Sequence, residues 1–348
     1  MGKPDIKQLE LLRKEIQFSD SGILEKTVYA FKLLSELLKF YPDLVFKGGT
    51  SILLHIFPPA RLSIDIDIIL SERECSGLKD ALIKMVSTSE WFDSVEEDIR
   101  TKNIPKAHYK FQFASKFSRI SQYVLLDVVF AEHCYKKLVK KDIAKVPLIF
   151  FNQGNQIVDV PTQEGLFGDK MTAISSNTIG IPLNEKRSME VVKQVIDLGE
   201  LFNIVNDVDD IRQSFFNTVH QENKFRKKDY SISDILEDIV DIAFKYSQSQ
   251  LKGADNSFYE IKLINDGLNR VVNHLRKKMS QMEIKIAFSK IVYMANILKG
   301  KDSGRLIKNV DLSLIQPPVF TNKYKILERL KAVNPIAYFY WAMSFSSK

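Results

Sequence analysis

The hydrophobic pattern divides the chain before any motif is considered. In LEKTVYAFKLLSELLKF, residues Leu24, Val28, Phe31, Leu34, Leu37 and Leu38 recur at three- and four-residue intervals, the stripe of an amphipathic helix. Tyr41 and Pro42 end it. LVFKGG then predicts a short buried strand running into glycine, and TSILLHIF predicts a helix capped at or near Thr50. PPARLS is a turn, and IDIDIIL alternates and then becomes wholly apolar, as a strand does. HYKFQFAS alternates well. YVLLDVVFAE is apolar and β-branched apart from one carboxylate, Asp127, and reads as a central strand. Shorter strands are expected around VPLIFF and NQIVDV.

From Thr162 the period changes to that of helices. The segments TQEGLFGDKMTAIS, SMEVVKQVIDLGELFNIV, VDDIRQSFFNTVHQE, SISDILEDIVDIAFKYSQ, FYEIKLINDGLNRVVNHLRKKM and QMEIKIAFSKIVYMANIL each predict one helix, and NKYKILERLKAVNPIAYFYWAM a last helical region. The fold class is therefore α+β: a mixed sheet with flanking helices, then an all-helical half. Residues 1–160 form the first expected domain and 161–348 the second; SSNTIGIPLNEKRS collects turn residues near the change.

Composition narrows the setting. The chain has 348 residues, enough for roughly two domains. Its only cysteines, Cys75 and Cys134, make neither a disulfide framework nor a zinc site, so a reducing cytoplasm is expected. The charged N-terminus MGKPDIKQLELLRKEI lacks the apolar segment of a secretory signal. No apolar run approaches the roughly 18 residues that span a membrane. Net charge is +7, compatible with a polyanionic partner, although on charge alone a solvated basic surface is the preferred explanation.

The chemistry concentrates in KGGTSILLHIFPPARLSIDID. Residues two apart on a strand share a face, so Ser63, Asp65 and Asp67 line one side and Leu62, Ile64, Ile66 and Ile68 the other. Paired carboxylates repel unless a cation or water separates them, and hard oxygen ligands at this spacing suit Mg²⁺. A solvated edge strand is the bland alternative for Asp-x-Asp alone. Asp127 adds weight, because a carboxylate in an apolar strand is costly to bury without a partner. Beside SIDIDII it would complete a three-carboxylate cluster. Gly48 and Gly49 lie between strand and helix, where glycine admits a phosphate close to the backbone and Thr50 and Ser51 offer hydroxyls. The turn lacks the P-loop pattern, and alone it is a strand-to-helix connection. His55, inside the apolar ILLHIF, reads as a packed core residue, and His108, His133 and His220 lack metal-ligand spacing.

A glycine-hydroxyl turn, a short helix, Asp-x-Asp on the next strand and a lone Asp on a later strand follow the order of the polymerase-β-like nucleotidyltransferases. More narrowly, FKGGTSILLHIF…RLSIDIDIIL resembles the AbiEii/AbiGii toxin family, which includes the MenT-like toxins. Its Lys-Gly-Gly-Thr and Arg-x-Ser-x-Asp-Ile-Asp elements match Lys47, Gly48, Gly49, Thr50, Arg61, Ser63, Asp65, Ile66 and Asp67. GDKMTAIS resembles the family helix whose lysine contacts nucleotide phosphates, with Lys170 and Ala173 in place. The family's Arg-Asp-x-x-Asp-Leu becomes KQVIDL here: Lys193 and Gln194 replace the Arg and first Asp, and Asp197 is kept. The resemblance covers roughly residues 25–205 by motif.

The resemblance implies a polymerase-β-like core followed by a helical domain that binds nucleotide and acceptor. It implies a Mg²⁺-dependent toxin of a toxin–antitoxin system that transfers NMP from NTP to the 3′ end of tRNA and releases pyrophosphate. Asp65 and Asp67 would bind two Mg²⁺ ions, with Asp127 as third ligand and activator of the acceptor hydroxyl. Lys47, Gly48 to Ser51, Arg61, Ser63, Lys170 and Asp197 would serve the nucleotide, and a cognate antitoxin would be the cellular partner. The basic runs KFRKKDY, HLRKKMSQ and NKYKILERLK could track an RNA backbone, although such runs are more often solvated helix faces. Protein modification of the AMPylation type, kinase-like transfer of the γ-phosphate, and an inactive nucleotide-binding module are the alternatives.

Overall fold

Side-chain caps start the first two helices. The Asp5 carboxylate accepts from the Gln8 backbone N–H at 2.7 Å while the Gln8 side chain accepts from Asp5 N–H, a reciprocal capping box that opens α1 (Ile6–Ile16). Asp20 caps α2 (Ser21–Phe40) through the Ile23 N–H. The α2 stripe of Leu24, Val28, Phe31, Leu34 and Leu37 is buried, with Leu38 packed at its edge. The computed structural model describes residues 3–99, 105–149, 156–300, 306–315 and 320–345. These fall into two units: residues 1–162 with 273–277, and residues 163–272 with 278–348.

The first unit is built on a seven-stranded sheet. Its strands are β1 (Val45–Lys47), β2 (Ile66–Leu70), β3 (Ser94–Glu97), β4 (Lys106–Phe113), β5 (Gln122–Phe130), β6 (Leu138–Asp142) and β7 (Ile157–Pro161), in the spatial order β3-β4-β5-β2-β1-β7-β6. The pairs β2/β5 and β1/β7 are parallel and the others antiparallel, so the sheet is mixed. Alternation decides its faces. Ile66, Ile68 and Leu70, with Val124, Leu126, Val128 and Phe130, and Tyr109, Phe111 and Phe113, bury one face in the core that includes α2. The helices α3 (Gly48–Ser51) and α4 (Leu78–Ser87) complete the unit.

All the regular structure among the second unit's described residues is helical: α5 (Gln163–Ala173), α6 (Ser188–Leu201), α7 (Val208–Arg226), α8 (Ile232–Gln248), α9 (Tyr259–Arg270), α10 (Gln281–Lys299), α11 (Leu330–Val333) and α12 (Pro335–Phe345), with short 3₁₀ turns. Capping boxes at Ser231/Asp234 and Ser280/Glu283 start α8 and α10. Helix α10 packs on α6, α8 and α12, and α5 on α6 and α7.

Four local expectations need correction. The helix after the glycine pair begins at Gly48, with Lys47 in the cap position, and Thr50 lies inside it. The strand expected over residues 64–70 begins at Ile66, so Asp65 precedes it. Residues Val146 to Ile149 of VPLIFF form a turn rather than a strand; residues 150 and 151 lie outside the described set. The stretch expected as one helix over residues 258–279 ends at Arg270, and residues 273–277 then join the first unit. There Leu62 N–H donates to the His274 carbonyl at 2.8 Å and Arg276 N–H to that of Ala60 at 2.9 Å.

Candidate active site

The sheet register assembles a row of polar side chains on the face opposite the core. Lys47 of β1 pairs with Asp67 of β2, Asp67 with Asp127 of β5, and Asp127 with His108 of β4. Direct register partners share a face. The order across four neighbouring strands is therefore lysine, carboxylate, carboxylate, histidine. Both aspartates are half-buried, between the buried apolar residues that precede and follow them. Asp65 stands two residues ahead of Asp67 in the approach to β2, and its charge acts on Lys26 of α2. Burial lowers the Lys26 pKa, and Asp65 opposes that shift.

The glycine turn is shaped by these carboxylates. Gly48 has φ +78°, in the left-handed region, and a Cβ there would fall 1.9 Å from Asp67 Oδ2. A Cβ on Gly49 would fall 2.8 Å from Arg61 Nη2 and 2.9 Å from Ser63 Oγ. Both glycines thus let the turn lie directly against the side chains of the Arg-x-Ser-x-Asp-Ile-Asp segment. The hydroxyls beside them face inward: Thr50 Oγ1 donates to the Asp65 carbonyl, and Ser51 Oγ to the Gly48 carbonyl at 2.9 Å. Both residues are fully buried; the Thr50 hydroxyl ties the turn to the Asp65 backbone, and the Ser51 hydroxyl closes the turn on itself. Arg61 is buried and bridged in the main chain to Leu275, and the Ser63 carbonyl accepts from Thr27 Oγ1 at 3.0 Å.

His108, which lacks metal-ligand spacing in the sequence, joins the site through strand register. Its Nδ1 lies 2.7 Å from Asp127 Oδ1, with the ring 13% and the carboxylate 30% exposed. An ionised carboxylate only accepts, so Nδ1 carries the proton in that state. The alternation in HYKFQFAS put His108 on a strand, but only the β4/β5 register puts it opposite Asp127.

The donor set fits a hard divalent cation. Asp67 and Asp127 project side by side from adjacent strands, about 4.8 Å apart along the hydrogen-bonding direction. Mg²⁺ typically takes one or two carboxylates together with substrate phosphate oxygens and water. Among the described residues no three His, Cys, Asp or Glu side chains already form a ligand cluster.

The second unit brings other motif residues together. Lys170 Nζ on α5 lies 2.8 Å from Asp197 Oδ2 on α6 and donates to Gln194 Oε1 at 2.9 Å. The Lys170 and Asp197 side chains are only 5% and 3% exposed. Gln194, where the resembled family has a carboxylate, supplies a neutral acceptor to Lys170 beside the charged Asp197. His55 is a packed residue as expected: burial pushes its pKa down to about 4. Of the basic runs, KFRKKDY closes α7 and HLRKKMSQ contributes the segment beside Ala60 to Leu62.

A family model described as "Nucleotidyl transferase AbiEii toxin, Type IV TA system" matches residues 32–290. No curated protein matches the chain. Among solved structures, MenT4, the nucleotidyltransferase toxin Rv2826c of Mycobacterium tuberculosis H37Rv, aligns with a TM-score of 0.50 at 12% identity, over 81% of this chain and 89% of that one. JHP933 from Helicobacter pylori aligns with a TM-score of 0.42 at 14% identity, over 79% of this chain and 92% of its own. The likeness to MenT4 is one of fold.

Proposed function

Because this chain belongs to the AbiEii nucleotidyl transferase toxin family of type IV toxin–antitoxin systems and is a nucleotidyltransferase, we propose that it moves NMP from an NTP to an RNA hydroxyl, at the 3′ end of tRNA. The observation that carries this reading is the row Lys47, Asp67, Asp127 and His108, with the glycine turn pressed against Asp67. An NTP and a divalent metal are the family's general requirements. Asp65, Asp67 and Asp127 would hold two Mg²⁺ ions here. When bound, they would neutralise the triphosphate and ease the departure of pyrophosphate.

The chain's own groups have separate tasks. Gly48 keeps the turn against Asp67, one of the carboxylates that would hold the metal, and Gly49 keeps it against Arg61 and Ser63, so the turn's backbone could receive the phosphates beside that carboxylate. Thr50 and Ser51 fix that turn from within, and Arg61 and Ser63 support it from the other side. Lys47 adds positive charge beside Asp67. His108 holds one Asp127 oxygen, and the other accepts the proton of the attacking hydroxyl. The acceptor oxygen bonds to the α-phosphorus as the bond from that phosphorus to the bridging oxygen breaks, and pyrophosphate leaves. Lys170, oriented by Asp197, supplies a point charge for the nucleotide phosphates. A cognate antitoxin is the expected partner and the cytoplasm the expected setting; no helix among the described residues is long and apolar enough to cross a membrane.

Incubation with each NTP labelled at the α- or γ-phosphate, together with total tRNA and cell extract, tests the reading. Label from α-labelled NTP should enter tRNA and vanish in the Asp65→Ala/Asp67→Ala variant. Label entering only protein, or only from the γ-position, would replace RNA transfer by protein modification or phosphotransfer.

A further inference from the structure

We propose that the sheet face opposite the core of the first unit carries, at Tyr123, a stacking platform for a base of the acceptor's single-stranded end, formed by Tyr123 with Lys26 and Lys110. The inference rests on the reading of the acceptor as RNA. Tyr123 lies on β5 four residues before Asp127, so both project from the same face, about 13 Å apart along the strand. That is the reach of a short terminal stretch of polynucleotide. Tyr123 is 40% exposed, although the residues alternating with it are part of the core. Lys26 Nζ stands 5.3 Å from its centroid and Lys110 Nζ 5.7 Å.

The two lysines connect the ring to the carboxylates. Lys26, on α2, lies within the field of Asp65. Lys110 projects from β4 on the same face as His108, two residues away, and is paired with Asp98 at 3.2 Å. An exposed aromatic ring flanked by ammonium groups is the arrangement that binds single-stranded nucleic acid with little sequence preference: the base stacks while cations meet its phosphates. A base that displaces either ammonium from the ring brings its own phosphate to that ammonium. The platform therefore suits the flexible end of an RNA and offers nothing to the outer surface of a duplex.

Fluorescence anisotropy of a labelled single-stranded oligoribonucleotide on the full chain tests this. Binding of an α,β-methylene NTP is measured in parallel. Tyr123→Leu, which keeps an apolar strand residue but removes the π-face, should weaken RNA binding about tenfold. Tyr123→Trp should retain it, and both should bind the NTP analogue as the wild type does. Lys26→Ala/Lys110→Ala should also flatten the slope of log affinity against log salt by about 1.4, two phosphate contacts on a single strand. RNA affinity unchanged in Tyr123→Leu overturns the platform alone. Loss of NTP-analogue binding in that variant overturns it too, and assigns the ring to the incoming nucleotide. A wild-type protein that binds no RNA removes the acceptor reading together with the platform.

Discussion

Asp127 has one oxygen tied to His108 at 2.7 Å, and that contact limits where the other oxygen can point. Partners of this kind typically change metal affinity or activity by about 10- to 100-fold when removed. His108→Ala should lower transfer by about tenfold or more and weaken Mn²⁺ binding, read by electron paramagnetic resonance. His108→Asn can still donate toward Asp127 and should recover part of both. Equal Mn²⁺ affinity in wild type and His108→Ala would assign the histidine to packing. The sequence already contains the reason for Gly48 and Gly49 in outline, since adjacent glycines after a strand signal a close approach. What they approach was not legible. The nearest groups are Asp67 Oδ2, Arg61 Nη2 and Ser63 Oγ, which stand 12 to 19 residues later and meet the turn only through the β1/β2 pairing.

Elements divide by how much apolar surface each must bury. The central strands β2 and β5 were legible because one face of each is continuously apolar. The unanticipated strands are β3 and β6, the two edges of the sheet. SVEE and LVKKD carry charge there, as edge strands do, and so lack a hydrophobic signature. Asp65 and Asp67 could be read as neighbours from their spacing, but Asp67 and Asp127 stand 60 positions apart in the sequence and are matched only by strand register. Likewise, α5 and α6 were each readable by period, while the Lys170–Asp197 contact belongs to their packing. That contact separates a structural from a functional role. Lys170→Met should destabilise the protein by about 3 kcal/mol or more, because Asp197 stays buried without this cation. Lys170→Met/Asp197→Leu should regain much of that stability in urea denaturation. If Lys170 serves the nucleotide, the double variant remains defective in transfer; recovered transfer would confine the lysine to a structural role.

At the scale of the whole molecule, buried ionisable groups make stability depend on pH from both sides. His55 has its pKa lowered to about 4 by burial, against an ordinary value of 6.5. The unfolded chain therefore takes up a proton there that the folded chain refuses, and stability falls as pH drops from 6.5 towards 4. Lys285 on α10 acts at the other end. It is 1% exposed, its ammonium donates to the Ser249 carbonyl, and burial lowers its pKa from 10.5 to about 8. Between those two values the unfolded chain holds a proton that the folded chain has lost, so this group makes stability rise with pH across that window. Below pH 8 the buried charge costs about 3 kcal/mol, offset in part by the carbonyl contact. Lys285→Met removes the titration and leaves only the pH-independent loss of the Ser249 contact. Its stability relative to wild type, from urea unfolding at constant ionic strength, should be most favourable at pH 7 and fall by about 3 kcal/mol towards pH 10.5. A difference that stays constant over that range would mean that Lys285 remains charged in the folded protein throughout.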